Sequence, residues 1–194
     1  VLYATGRKPN TANIGLENTD ITTNERGAIV VNDTCESSVP GVYAVGDVNG
    51  GPQFTYISLD DFRIVFGALT GNGQYTLKDR KNIPYTTFLT PPLARVGLTE
   101  EDAINKGYTV KTKEMLVATM PRAHVNDYLK GAFKIVVNAD NDLILGATLY
   151  SQSAEELINL IKMAMDNNIP YTYFKNQIFT HPTMAENLND LCNF

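Results

Sequence analysis

Tryptophan is absent from the 194 residues, cysteine and histidine occur only twice each, and 16 basic residues face 21 acidic ones. Each shortage excludes something. A formal net charge of −5, with no local run of Lys or Arg, removes the basic face that phosphate-backbone binding requires, so no nucleic-acid partner is expected. No apolar stretch approaches the roughly 18–20 residues that cross a bilayer as a helix, so no membrane partner is expected either. Cys35 and Cys192 lie near opposite ends of the chain. Their separation matches no metal or redox spacing and gives no disulfide framework, so no metal site is expected and a reducing cytoplasm is the expected compartment. The opening Val1-Leu2-Tyr3-Ala4-Thr5-Gly6 has neither an initiator Met nor a basic n-region. It reads as neither a signal peptide nor a natural N-terminus.

What is present, 43% hydrophobic and 9% aromatic residues, fits a folded protein of one or two domains. Val1 to Ala4, Ala28 to Val31 and Gly41 to Val45 are short apolar runs bounded by Gly, Pro and Asn. They read as strands of a sheet covered on both faces, the third delivering directly into Gly46-Asp47. From Thr55 to Leu69, Leu59, Phe62, Phe66 and Leu69 follow one another at steps of three, four and three, which is a helical stripe stopped by Gly71 and Gly73. Residues 72 to 84 are polar, end in Pro84 and mark a domain boundary.

Beyond it the rhythm changes. Phe88 to Val96 and Thr109 to Ala118 read as strands flanking a helix that Thr99 caps and Gly107 ends. Phe133 to Val137 and Leu143 to Leu149 read as an antiparallel hairpin. Ser153-Ala154-Glu155-Glu156 has the pattern of a capping box before a helix with Leu157, Ile161, Ala164 and Met165 on one face. Thr183-Met184-Ala185-Glu186 has the same pattern before a short helix with Leu188 and Leu191 inward. Strands grouped with flanking helices predict an α+β module.

Two features could carry chemistry. Asp47, at the carboxyl end of a buried strand, can accept hydrogen bonds from ligand hydroxyls at the edge where open α/β sheets bind ligands. The helix after Gly50-Gly51-Pro52 would aim its positive end at the same place. The plainer alternative is that Asp47 only caps a turn. His181, held towards an extended backbone by Pro182, lies five residues before Glu186, and a carboxylate on one ring nitrogen makes a His into an acid–base group. Against this, Glu186 could merely close the capping box with Thr183, and His181 could be an ordinary turn residue. Cys35 and Cys192 carry no mark of activation, His124 beside Pro121-Arg122 could face a ligand but reads first as a solvated loop side chain, and a His181–Cys192 hydrolase dyad lacks a third member and an oxyanion loop.

In order along the chain, Ala4-Thr5-Gly6-Arg7-Lys8-Pro9-Asn10, Gly41-Val42-Tyr43-Ala44-Val45-Gly46-Asp47, Pro91 with Ala94-Arg95-Val96-Gly97-Leu98-Thr99-Glu100, and His181-Pro182-Thr183 with Glu186 resemble four motifs of the class I pyridine nucleotide-disulfide oxidoreductases. This is the family of glutathione reductase, dihydrolipoamide dehydrogenase and mercuric reductase. The stretch from Gly50 to Asp61 and the ending Phe179-Thr180-His181-Pro182 resemble most the bacterial subgroup associated with reactive-chlorine resistance.

The resemblance implies the end of an NAD(P)-binding domain over 1–10 and the C-terminal part of an α/β FAD-binding domain over 11–78. It implies an α+β interface domain over 79–194, with a mixed or antiparallel sheet and flanking helices. It implies FAD and NAD(P)H as cofactor and co-substrate, with Gly46, Asp47, Gln53, Phe54 and Thr55 on the cofactor and His181 with Glu186 as the catalytic acid–base pair. A homodimer formed through the C-terminal domain follows from the same comparison. The family's N-terminal FAD loop, C-x-x-x-x-C pair and NAD(P) glycine loop have no counterpart among these residues. The expectation is therefore a fragment of a longer enzyme, inactive and without flavin on its own. The alternative expectation is a non-catalytic dimerisation or binding module derived from that family.

Overall fold

The computed structural model describes residues 1–194, which divide into two compact units, Val1–Arg80 and Lys81–Phe194. No helix is long and apolar enough to cross a membrane.

The first unit is built around one long helix, α1 (Thr55–Thr70), ended by Gly71 in the left-handed conformation, the freedom glycine supplies at a helix end. The sequence places this helix, but the stripe that marks it is not the face that packs. Leu59, Phe62, Phe66 and Leu69 are all at least half exposed. The opposite side, Ile57, Asp61 and Ile64, is the buried one. The three expected strands are also corrected. Val1 to Tyr3 are exposed and form no strand, while the runs at 28–31 and 41–45 contribute only isolated antiparallel bridges, Thr23 with Ile29 and Glu36 with Tyr43. A strand is completed by a neighbour's backbone groups, and a short apolar run without a pairing strand stays irregular. What the second and third runs do supply is burial: Ala28, Ile29 and Ala44 join Cys35, Ile57 and Ile64 inside.

The second unit is a five-stranded, wholly antiparallel sheet. Its strands are β1 (Tyr85–Thr87), β2 (Leu93–Gly97), β3 (Val110–Leu116), β4 (Ala132–Asn138) and β5 (Ile144–Tyr150), in the order β1-β2-β5-β4-β3. The predicted hairpin is the β4–β5 pair, Phe133 opposite Leu149 and Ile135 opposite Ala147. Of the strand expected over 88–96, only residues 93–96 are strand, as part of β2, because Pro91 and Pro92 offer no N–H to a ladder; β1 ends before that run begins. The Thr90–Pro91 bond is cis, and Phe88 and Leu89 are exposed.

Helices α2 (Glu100–Asn105), α3 (Pro121–Val125), α4 (Ala154–Asp166), α5 (Tyr171–Asn176) and α6 (Asn187–Leu191) flank the sheet. Thr99 caps α2 as expected, and does so in a reciprocal box: its Oγ1 accepts from Asp102 N–H, and Asp102 accepts in return. Ser153 does not cap α4 through its side chain. It sits at φ 64°, whereas a side-chain cap needs extended backbone at that residue. On one side of the sheet, Phe133, Ile135, Val137 and Leu149 meet Leu157, Ile158 and Ile161 of α4 and Leu188 and Leu191 of α6 in one continuous core.

Cys35 and Cys192 are both free and buried. Burial pushes the Cys35 thiol from 9.0 up to about 11, with Asp61 adding to the rise, and the Cys192 thiol up to about 12. Native protein at pH 7–8 is therefore expected to give no rapid reaction with a thiol reagent and two equivalents after denaturation. Because the folded state keeps protons that the unfolded state has lost, stability is expected to fall as pH rises from about 9 towards 11. A native thiol titrating near pH 8 would contradict this.

Candidate functional site

Two clusters contain the residues singled out from the sequence, one in each unit. In the first unit, Gly46–Asn49 forms a single 3-10 turn entered by extended Val45. Gly46 takes φ 73°, and a Cβ there would lie 2.6 Å from Ser58 Oγ, so the turn requires glycine. The Gly46 N–H points inward and donates to Asp61 Oδ2 at 2.7 Å. Asp47 projects the other way, its side chain half exposed, with Arg7 Nη1 at 3.7 Å. Arg7, Lys8, Pro9, Asn10, Asp47, Val48 and Gln53 line a cleft of about 230 Å³. Thr55 opens α1, and the rings of Phe54 and Tyr56 stack at 5.0 Å.

The sixteen-residue α1 beginning beside a carboxylate and an exposed arginine provides hydroxyl-accepting and anion-attracting groups in one region. That donor set fits a hydroxylated, phosphorylated ligand. The sequence reading missed Arg7 as the partner of Asp47 and missed Asp61 altogether.

In the second unit, His181 and Glu186 are brought together. His181 Nδ1 lies 2.8 Å from Glu186 Oε2, the ring 69% exposed and the carboxylate 18% exposed. Glu186 meets both His181 and Thr183, because a carboxylate has two oxygens. Glu186 Oε1 accepts from Thr183 N–H at 3.1 Å, and Glu186 N–H donates to Thr183 Oγ1 at 3.2 Å. This reciprocal pair closes the turn ahead of α6 rather than capping the helix, which starts at Asn187 with Glu186 as its N-cap residue. Glu186 Oε2 is left for the histidine.

Two neighbours hold the turn: Thr183 Oγ1 donates to Thr180 O, and buried Asn187 donates through Nδ2 to Thr183 O and Met184 O. The His181–Pro182 bond is cis. An ionised carboxylate only accepts, so the hydrogen on Nδ1 belongs to the ring, and in the neutral imidazole the lone pair is on Nε2. Cys192 is fully buried, which removes it as a nucleophile for this ring. His124, placed on α3 rather than in a loop, is 2.8 Å from Ala118 O through Nε2. No cluster of three or more His, Cys, Asp or Glu is arranged to hold a metal.

A larger groove of about 690 Å³ lies over the second unit's sheet beside α2. Lys134 pairs with Glu100 there at 2.7 Å, and the groove is lined by no histidine.

The sequence profile of the pyridine nucleotide-disulphide oxidoreductase dimerisation domain matches residues 83–192, and that of the pyridine nucleotide-disulphide oxidoreductase domain matches residues 1–61. The chain belongs to this family. Members depend on FAD and NAD(P)H. Among individual oxidoreductases, it is 48% identical over 191 residues to the probable pyridine nucleotide-disulfide oxidoreductase RclA of Escherichia coli, over 98% of this chain and 43% of that protein. It is 37% identical over 188 residues to a mercuric reductase of Staphylococcus aureus, over 97% of this chain and 34% of that one.

The solved structure described as the HOCl-induced flavoprotein disulfide reductase RclA from Escherichia coli superposes with a TM-score of 0.94 over 97% of this chain and 43% of that one. The chain thus spans less than half the length of these relatives. The α+β dimerisation domain with its antiparallel sheet and flanking helices is as the sequence implies, and so is the preceding part of a nucleotide-binding domain.

Proposed function

We propose that these residues are the C-terminal part of an FAD-dependent NAD(P)H oxidoreductase that reduces a disulfide, a metal ion or a related oxidant. The part they supply is the flavin-contacting turn, the dimer-forming domain and the acid–base pair. The observation that carries this reading is the 2.8 Å contact of His181 with Glu186 on a ring that is mostly exposed. An oriented, accessible imidazole needs a reacting group to serve. Both thiols of this chain are buried and held protonated, so that group comes from elsewhere.

In a homodimer joined through the second unit, His181 would meet a cysteine thiol of the other subunit. Nε2 would take the proton from the thiol as it becomes a nucleophile and return it to the leaving thiolate. Glu186 keeps Nδ1–H fixed throughout, so only one tautomer is presented.

Bound FAD would supply hydride acceptance from NAD(P)H and electron transfer to the cysteine pair. Asp47 would accept hydrogen bonds from its hydroxyl-bearing chain, with Arg7 close enough to meet a phosphate. Gly46 gives the turn its shape, and Gln53, Phe54 and Thr55 form the approach at the start of α1. The likeness to a protein described as a flavoprotein disulfide reductase favours a disulfide or a thiol-reactive oxidant as acceptor. The buried free thiols fit a reducing cytoplasm.

Residues 1–194 alone, lacking the thiol pair, are expected to oxidise NAD(P)H with added FAD no faster than free FAD does. The full-length gene product is expected to purify with about one flavin per subunit and to oxidise NAD(P)H when given a disulfide or an oxidising metal ion. A full-length product that binds no flavin, or 194 residues that turn over unaided, would contradict the proposal.

A further inference from the structure

Burying a carboxylate costs free energy unless its oxygens are paired, so the partners of a buried Asp indicate its purpose. Asp61 is fully buried in the middle of α1, on the same face as Ile57 and Ile64. Helical periodicity would put an apolar side chain at that position. Both of its oxygens are committed. Oδ2 accepts from Gly46 N–H at 2.7 Å and from Asn49 Nδ2 at 2.9 Å, the first and last residues of the 3-10 turn that carries Asp47. Oδ1 pairs with Arg80 Nη2. Arg80, only 10% exposed, also donates through Nε to Asp60 Oδ2 at 2.7 Å, and Tyr75 OH donates to the same oxygen at 3.3 Å. Asn49 completes the frame, with Nδ2 also donating to Ala44 O and Oδ1 accepting from Gly51 N–H.

Asp61, fully buried with protein donors on both oxygens, is therefore not itself presented to a ligand. Its bonds converge on the turn from below while Asp47 leaves it from above. We propose that Asp61 is a positioning residue for the flavin: its buried carboxylate, with Arg80 as counter-ion, fixes the Gly46–Asn49 turn in the conformation that presents Asp47. The inference rests on the reading of Asp47 as a flavin contact. A charge serves here because one carboxylate oxygen can accept from a main-chain amide and a side-chain amide at once, and charged acceptors bind donors more strongly than neutral ones.

The test uses the full-length enzyme and measures the FAD dissociation constant and the absorption spectrum of bound flavin for Asp47→Ala, Asp61→Asn, Asn49→Ala and the double variant Asp61→Asn/Arg80→Gln. Asp61→Asn is expected to weaken FAD about tenfold or more and to shift the flavin band, because the new amide faces the Arg80 guanidinium donor to donor. The double variant replaces that conflict with an amide–amide pair and is expected to recover most of the affinity. A merely structural Asp61 would lower thermal stability and leave the dissociation constant and spectrum where they were.

Should Asp61→Asn fail to fold, Asn49→Ala decides, since it deletes one donor and leaves the Asp61–Arg80 pair intact. Several-fold weaker FAD binding supports the proposal, and unchanged binding overturns it. Wild-type flavin binding in the Asp61 and Asn49 variants, with loss in Asp47→Ala, overturns the positioning role alone. Unchanged binding in Asp47→Ala overturns the Asp47 contact and the positioning role together.

Discussion

His181→Ala in the full-length enzyme is expected to lower thiol-dependent turnover by roughly 10²–10⁴, the range general acid–base groups contribute. Reduction of the flavin by NAD(P)H should continue at its normal rate. The two half-reactions separate because, in the proposed mechanism, the ring serves only the thiol step. Glu186→Gln is the informative companion. Glutamine keeps an oxygen able to accept from Nδ1–H and another group near Thr183 N–H, but it removes the charge that stabilises the protonated ring. Its loss should therefore be smaller than that of His181→Ala and greatest where His181 must carry the proton. Equal loss of both half-reactions would indicate general damage, and unchanged turnover in His181→Ala would remove the histidine from the chemistry.

Phe133→Ala is expected to cost about 3–5 kcal/mol, the usual penalty for emptying a large aromatic from a core. Phe133 is fully buried on β4 opposite Leu149, in the layer that faces α4. A cavity bounded by a sheet on one side and a helix on the other cannot collapse without moving both. For a unit of this size the loss corresponds to a fall in melting temperature of roughly 10 °C or more. Leu116→Ala, at a side chain more than half exposed, provides the control and should change stability by no more than about 0.5 kcal/mol. Equal effects from the two changes would mean that the core is not organised around β4.

Elements whose cause is local were legible in the sequence. The periodicity of 55–69 announces α1, the apolar runs at 133–137 and 143–149 announce the β4–β5 hairpin, and Thr99 announces the start of α2. Elements whose cause is distant were not. The apolar runs at 1–4 and 28–31 have strand composition, but a strand exists only where another backbone pairs with it. The stripe on α1 fixes a helix without saying which side packs, and here the side holding Asp61 does. Ser153 fits the letters of a capping box, yet its left-handed backbone turns the hydroxyl away.

The same division runs through the site. His181 and Glu186 are five residues apart, so their pairing could be anticipated, and the two oxygens of Glu186 explain how it meets His181 and Thr183 together. Gly46, Asp61 and Arg80 are far apart in the chain, and an Asp inside a helix reads as part of a wetted face until its burial is seen.

The most direct measurement is the sequence of the reading frame upstream of Val1. A glycine-rich FAD loop followed by a C-x-x-x-x-C pair is the predicted result, and it would supply the flavin-binding half and the thiols that the exposed His181 is proposed to serve. A start codon immediately before Val1, with no such segment, would contradict the oxidoreductase reading and leave a dimerisation module without redox chemistry.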